Sequence, residues 1–107
     1  MREKQIQNAI LRAFATRRDL RLWRANVGVG RFGNRTVAFG VPGQADLTGI
    51  LPNGKRLEIE VKGPEGQQSN DQQNYQRMIE RFGGVYVLAR SVQDVHDALG
   101  KYLDGQG

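Results

Sequence analysis

The sequence predicts an α/β domain in which a mixed β-sheet is flanked by α-helices. Three observations carry that reading. The amino-terminal segment repeats apolar residues at helical spacing, the middle of the chain holds two strand-like runs around an Asn-Gly turn, and a short apolar run near residue 87 lies between two capped helices.

From Arg2 to about Arg18, Ile6, Ala9, Ile10, Ala13 and Phe14 share one face, which predicts an amphipathic helix. After Asp19, the run Leu20 to Val27 reads as a strand of imperfect alternation. The stretch containing Gly28, Gly30 and Gly33, followed by Thr36 to Phe39 and the Gly40-Val41-Pro42-Gly43 break, reads as a hairpin or a mobile loop. Ala45 to Leu51 and Arg56 to Lys62 are then two strands joined by Pro52-Asn53-Gly54-Lys55, because Asn and Gly both tolerate positive φ. Ser69 or Asn70 caps a helix running to about Phe82, where Gly83-Gly84 stops it. Val85 to Ala89 is a short buried strand, and Ser91 caps a last helix with Val92, Val95, Ala98, Leu99 and Tyr102 on one side. With the glycine-rich stretch outside the count, the order is α-β-β-β-α-β-α. A single domain spans 1–103, and the tail Asp104 to Gly107 reads as frayed.

A chain of 107 residues supports one modest core, so any activity must sit on that one scaffold. No apolar run approaches the ~20 residues that span a bilayer, and the start of the chain has no signal-peptide pattern, so neither a membrane partner nor export is expected. There is no cysteine, and His96 is the only histidine. A bound metal would therefore need oxygen ligands. Charge is unevenly spread: residues 1–42 carry nine Lys or Arg against Glu3 and Asp19, a balance of +7, while the remainder balances at −2. Such a basic half suits a polyanion, and nucleic acid is the commonest one.

In Leu57-Glu58-Ile59-Glu60-Val61-Lys62, alternation puts Leu57, Ile59 and Val61 on a core face and Glu58, Glu60 and Lys62 on the other. Taken alone, that charged face reads as the solvent side of a half-exposed strand, with Glu58 solvated or paired with a base. The preceding strand changes the reading. Asp46 stands just after the Pro42-Gly43 break, and the antiparallel hairpin brings it to the same open end as Glu60 and Lys62. Two carboxylates and an ammonium in one small volume suit phosphodiester hydrolysis, since Mg²⁺ takes one or two carboxylates while keeping several waters.

Gly43-Gln44-Ala45-Asp46, then Glu60-Val61-Lys62, then a glutamine-bearing helix resembles the PD-(D/E)XK nucleases, and specifically their VRR-NUC branch, over nearly the whole chain. Gly83 to Val87 and Arg90-Ser91-Val92 are similar to that family's closing strand and helix. The resemblance implies a restriction endonuclease-like fold and a site built from Asp46, Glu60, Lys62 and Gln72. Metal would be held by Asp46, Glu60 and the Val61 backbone carbonyl, with Glu3, in Glu3-x-x-Ile6-Gln7, as a further candidate ligand. Gln72 is preferred over Gln73 and Gln76 because Tyr75 follows it by three residues. The cofactor implied is Mg²⁺ or Mn²⁺, and the activity is a DNA endonuclease acting on branched DNA such as four-way (Holliday) junctions, as a homodimer. Small stand-alone members of this branch are associated with phages and bacteria, which implies the cytoplasm of a bacterial or phage-infected cell.

Arg24, Arg31 and Arg35 are the candidates for contacting the DNA backbone. Gly28-Val29-Gly30-Arg31-Phe32-Gly33 matches GxGxxG, but no helix is predicted at those glycines, so no nucleotide cofactor is expected. Trp23 and Phe32 are expected to pack into the core or a loop rather than stack on bases, and His96 to be inert. The competing reading is a non-catalytic nucleic-acid-binding module derived from a nuclease. It would not need Asp46, Glu60, Lys62 and Gln72 together.

Overall fold

A computed structural model describes residues 2–25 and 28–103. Asn26, Val27 and the tail 104–107 lie outside the described residues, and with them the end of the first expected strand and the expectation of fraying. The chain forms α1 (Glu3–Phe14), β1 (Arg21–Arg24), β2 (Gly28–Phe32), β3 (Arg35–Phe39), β4 (Leu47–Ile50), β5 (Arg56–Val61), α2 (Asn70–Arg81), β6 (Val85–Ala89) and α3 (Val92–Leu99). Five strands separate the first two helices, two more than the expected order. The additional pair is β2–β3, into which the glycine-rich stretch folds as a separate two-stranded sheet.

The main sheet has the order β1-β4-β5-β6 and is mixed: β1/β4 and β4/β5 are antiparallel, β5/β6 parallel. A parallel neighbour requires a crossover, and α2 supplies it. The sheet separates two helical layers. On one side Ile6, Ile10 and Phe14 of α1 and Val95 and Leu99 of α3 pack on Leu47, Leu57, Ile59, Val61, Val87 and Ala89. On the other, Tyr75 and Ile79 of α2 pack on Ala45, with Tyr86 and Met78 at the margin. Strand β5 is thus buried on both faces. The half-exposed strand expected from its alternating charges is incorrect, because α2 covers the side that carries Glu58 and Glu60.

Local chemistry sets the element ends. Helix α1 stops at Phe14, four residues short of expectation. Ala13 is exposed rather than on the core face, and a two-pronged Arg17–Asp19 ion pair fixes the turn beyond. Between β4 and β5 only Gly54 takes positive φ, +84°. Asn53 stays at negative φ and uses its side-chain oxygen to accept the Lys55 N–H, so the hairpin is held by an Asx contact and not by the two positive φ values expected. Ser69 is the α2 cap, accepting from the Gln72 N–H. At the other end Gly83 N–H donates to Glu80 and Gly84 N–H to Ile79, the paired bonds of a Schellman ending.

Gly43 couples the loop before β4 to α2. Its φ is +77°, and a Cβ placed there would lie 2.2 Å from the Asp71 carbonyl oxygen. Gly43→Ala is therefore expected to lower stability by about 2 kcal/mol or more, read as a shift of the urea midpoint, through left-handed strain and displacement of the α2 amino terminus.

Candidate active site

The β4–β5 hairpin and α2 assemble the site. Leu47 pairs with Ile59, and carrying that register one residue further sets Asp46 opposite Glu60. Asp46 is fixed from both sides: its carbonyl accepts the Ala25 N–H at 2.9 Å, and its Oδ2 accepts the Val61 N–H at 2.7 Å. A carboxylate held by a backbone amide on the neighbouring strand gives up that hydrogen bond if it swings away.

Glu60 is only 2% exposed. Its Oε2 accepts from Gln72 Nε2 at 2.9 Å and lies 3.4 Å from Lys62 Nζ. Its Oε1 is buried and has no hydrogen-bond partner among the described residues. Burial, and then the Asp46 carboxylate, raise the Glu60 pKa to about 7, with Lys62 acting in the opposite direction. Burial likewise raises the Asp46 pKa, opposed chiefly by the Val61 N–H. The two acids are thus held together against mutual repulsion, with one ammonium to share.

Among the three candidate glutamines, Gln72 reaches the acids. Gln76 bonds instead with Gln68 and Glu80. Gln72 also accepts the Ser69 N–H at 2.8 Å through Oε1, which leaves Nε2 as the group presented to Glu60. Glu3 comes from α1 to the rim, where its Oε2 accepts the Gly63 N–H at 3.4 Å, a long contact. Among the described residues no three acidic or histidine side chains converge as a metal-holding group. Asp46 and Glu60 are the carboxylate pair, and Glu3 stands beside them.

Glu58 departs from expectation. It is 0% exposed, with Thr48 and Tyr75 hydroxyls donating to its carboxylate and Arg56 Nε 3.1 Å away. It pairs with a base, as alternation allowed, but it is not solvated. Burial and the neighbouring carboxylate raise the Tyr75 pKa. Tyr75 and Gln72 lie three residues apart on α2, while Glu58 and Glu60 lie two apart on β5, so the helix is pinned to the strand at two successive points. The tyrosine spacing that selects Gln72 in the sequence is also the signal for this second contact. Arg90 has no comparable signal: its Nη1 donates to the Gly63 carbonyl at 2.6 Å, placing a guanidinium on the loop that follows Lys62.

Of the basic candidates, Arg24 on β1 donates to Asn8 of α1, and Arg31 and Arg35 are exposed on the β2–β3 hairpin. Trp23 is 42% and Phe32 59% exposed, so neither packs into the core: β1 is a sheet edge and β2 lies outside the main sheet. His96 is half-buried, its ring 4.8 Å from that of Phe14. The glycines of the GxGxxG match lie on β2 and its turn and lead into β3. No helix of the described residues is long and apolar enough to cross a membrane.

No family model matches the chain, and neither a curated protein nor a solved structure matches it.

Up to about pH 7 the folded protein keeps a proton on Glu60 that an unfolded chain releases near the ordinary 4.5. This group therefore makes folding less favourable as pH rises through that window. In metal-free buffer, Glu60→Gln is expected to be more stable than the parent at pH 8, by at most about 3 kcal/mol, with the gain fading towards pH 4.5. Urea titrations at both pH values check it; an equal change at the two would remove the proton linkage. Tyr75→Phe is expected to lose about 1–3 kcal/mol in the same assay, because a buried carboxylate loses a donor.

Proposed function

We propose that this domain is a divalent-metal-dependent nuclease that hydrolyses phosphodiester bonds of DNA. The observation that carries the reading is the convergence of Asp46, Glu60, Lys62 and Gln72 at one end of β4 and β5, with Glu60 Oε1 buried and lacking a donor among the described residues. Buried polar atoms are nearly always satisfied, so an unpartnered carboxylate oxygen beside a second carboxylate suits an oxygen-seeking cation. Asp46, Glu60 and the Val61 carbonyl would hold Mg²⁺ or Mn²⁺. When bound, such an ion polarises the phosphodiester and activates water.

The chain's own residues do the rest. The Val61 N–H and the Gln72 amide fix the two carboxylates before substrate arrives, so little reorganisation is needed during reaction. Lys62, a compact ammonium two residues after Glu60, neutralises charge developing on the phosphoryl oxygens. Arg24, Arg31, Arg35 and Arg90 face the backbone on either side. The order of these residues along the chain supports placing the domain in the VRR-NUC branch of the PD-(D/E)XK nucleases, with a restriction endonuclease-like fold, homodimers and four-way junctions as the corresponding assembly and substrate.

Cleavage of labelled duplex, flap and four-way-junction DNA with Mg²⁺ or Mn²⁺ tests this. Asp46→Ala and Lys62→Ala are each expected to lose about a hundredfold or more in rate, and EDTA to abolish cutting. DNA binding without cutting under any metal would leave the non-catalytic binding module. Light scattering showing only monomer at working concentration would remove paired cleavage of a junction.

A further inference from the structure

The β2–β3 hairpin is not part of the main sheet, and every residue between Leu20 and Ala45 is neutral or basic. Across it Val29 pairs with Ala38, Arg31 with Thr36, and Phe32 with Arg35, around a Gly33-Asn34 turn in which Gly33 alone takes positive φ, +64°. Directly opposed residues share a face. One face therefore carries Val29, Ala38, Arg31 and Thr36; the other carries Phe32 and Arg35 at the tip. The two faces do not meet the same surroundings. Val29 and Ala38 line a cleft of about 410 Å³ whose far wall is Ser69, Asp71 and Gln72 at the start of α2. Arg31 and Thr36 continue that same face outward from the cleft, away from the acids of the site. Arg31 and Arg35 are consequently inequivalent, one on the site-facing side and one on the outer side.

Two strands of five residues reach about 16 Å, and a two-stranded ribbon fits the major groove of B-form DNA, which is about 12 Å wide. We infer that β2–β3 is an arm that enters the major groove of a DNA duplex. Arg31 and Thr36 hold the backbone of the strand that runs through the cleft to Gln72, Phe32 at the tip meets the base edges, and Arg35 on the outer face reaches the backbone of the opposite strand. The inference rests on the nucleic-acid reading of the site but not on its catalysis, so binding in EDTA separates the two.

The test is fluorescence anisotropy of the full chain with a 24-bp DNA duplex in EDTA across a salt series, with circular dichroism to confirm folding. Arg31→Ala is expected to weaken binding about tenfold and to reduce the slope of log affinity against log salt by about one. Phe32→Ala is expected to weaken binding with no change in that slope, and Lys101→Ala, beyond α3, to bind as the parent does. An RNA duplex of the same sequence should compete at least tenfold less well, because the deep, narrow major groove of A-form RNA excludes a ribbon. Parent-like affinity and slope for Arg31→Ala overturn the arm, and equal competition by the RNA duplex overturns the groove. If the Arg31 and Phe32 effects appear and no metal supports cleavage, the arm stands and the nuclease assignment fails; cleavage with no effect of either substitution gives the reverse.

Discussion

Strand β5 carries the constraint on which the other elements depend: it is buried on both sides while bearing two carboxylates on one of them. Leu57, Ile59 and Val61 need only apolar neighbours, and α1 and α3 supply them. Glu58 and Glu60 need donors, and in a buried setting each missing donor would weigh heavily against folding. Helix α2 meets that demand with Tyr75 and Gln72, β4 adds Thr48, and Lys62 and Arg56 add charge. The position of α2 is thereby set by polar pairing as much as by the packing of Ile79 on Ala45.

The two carboxylates are treated differently. Glu58 is saturated by two hydroxyls and a guanidinium and has a wholly internal role. Glu60, one pleat nearer the end of β5, has one oxygen engaged and one left over among the described residues. Similar residues on one strand thus divide into a fastening and an open ligand, the difference lying in how many donors their neighbours present. Asp46 completes the open end because a backbone amide, rather than a mobile side chain, holds it.

Much of this was legible in the sequence for identifiable reasons. The β4–β5 hairpin follows from Asn53-Gly54 and fixes by register which acids meet. The ends of α2 and the start of α3 follow from Ser69, Gly83-Gly84 and Ser91, whereas α3 stops at Leu99, before the Tyr102 expected on it; the choice of Gln72 follows from its spacing to Tyr75. Burial was less legible. Alternation reports that Glu58 and Glu60 share a face but not that a distant helix covers it, since that depends on a crossover joining residues far apart in the chain. The β2–β3 ribbon was ambiguous because glycine lowers strand propensity while its neighbours, Val29, Thr36 and Val37, raise it. Arg90 gave no signal because its place follows from β6 lying parallel to β5.

Gln72 has two attachments: its carbonyl oxygen closes the amino-terminal cap of α2 with Ser69, and its amide nitrogen meets Glu60. An ordinary capping residue can be exchanged for glutamate with the cap intact, but here that exchange would set a second acid against Glu60. Exchange for an apolar residue would lose the Ser69 N–H contact and the Glu60 contact together, leaving only the backbone half of the cap. The position is therefore closed to the usual neutral drift of helix caps. Its evolutionary freedom is tied to that of Glu60, so the two would be expected to change as a pair or not at all.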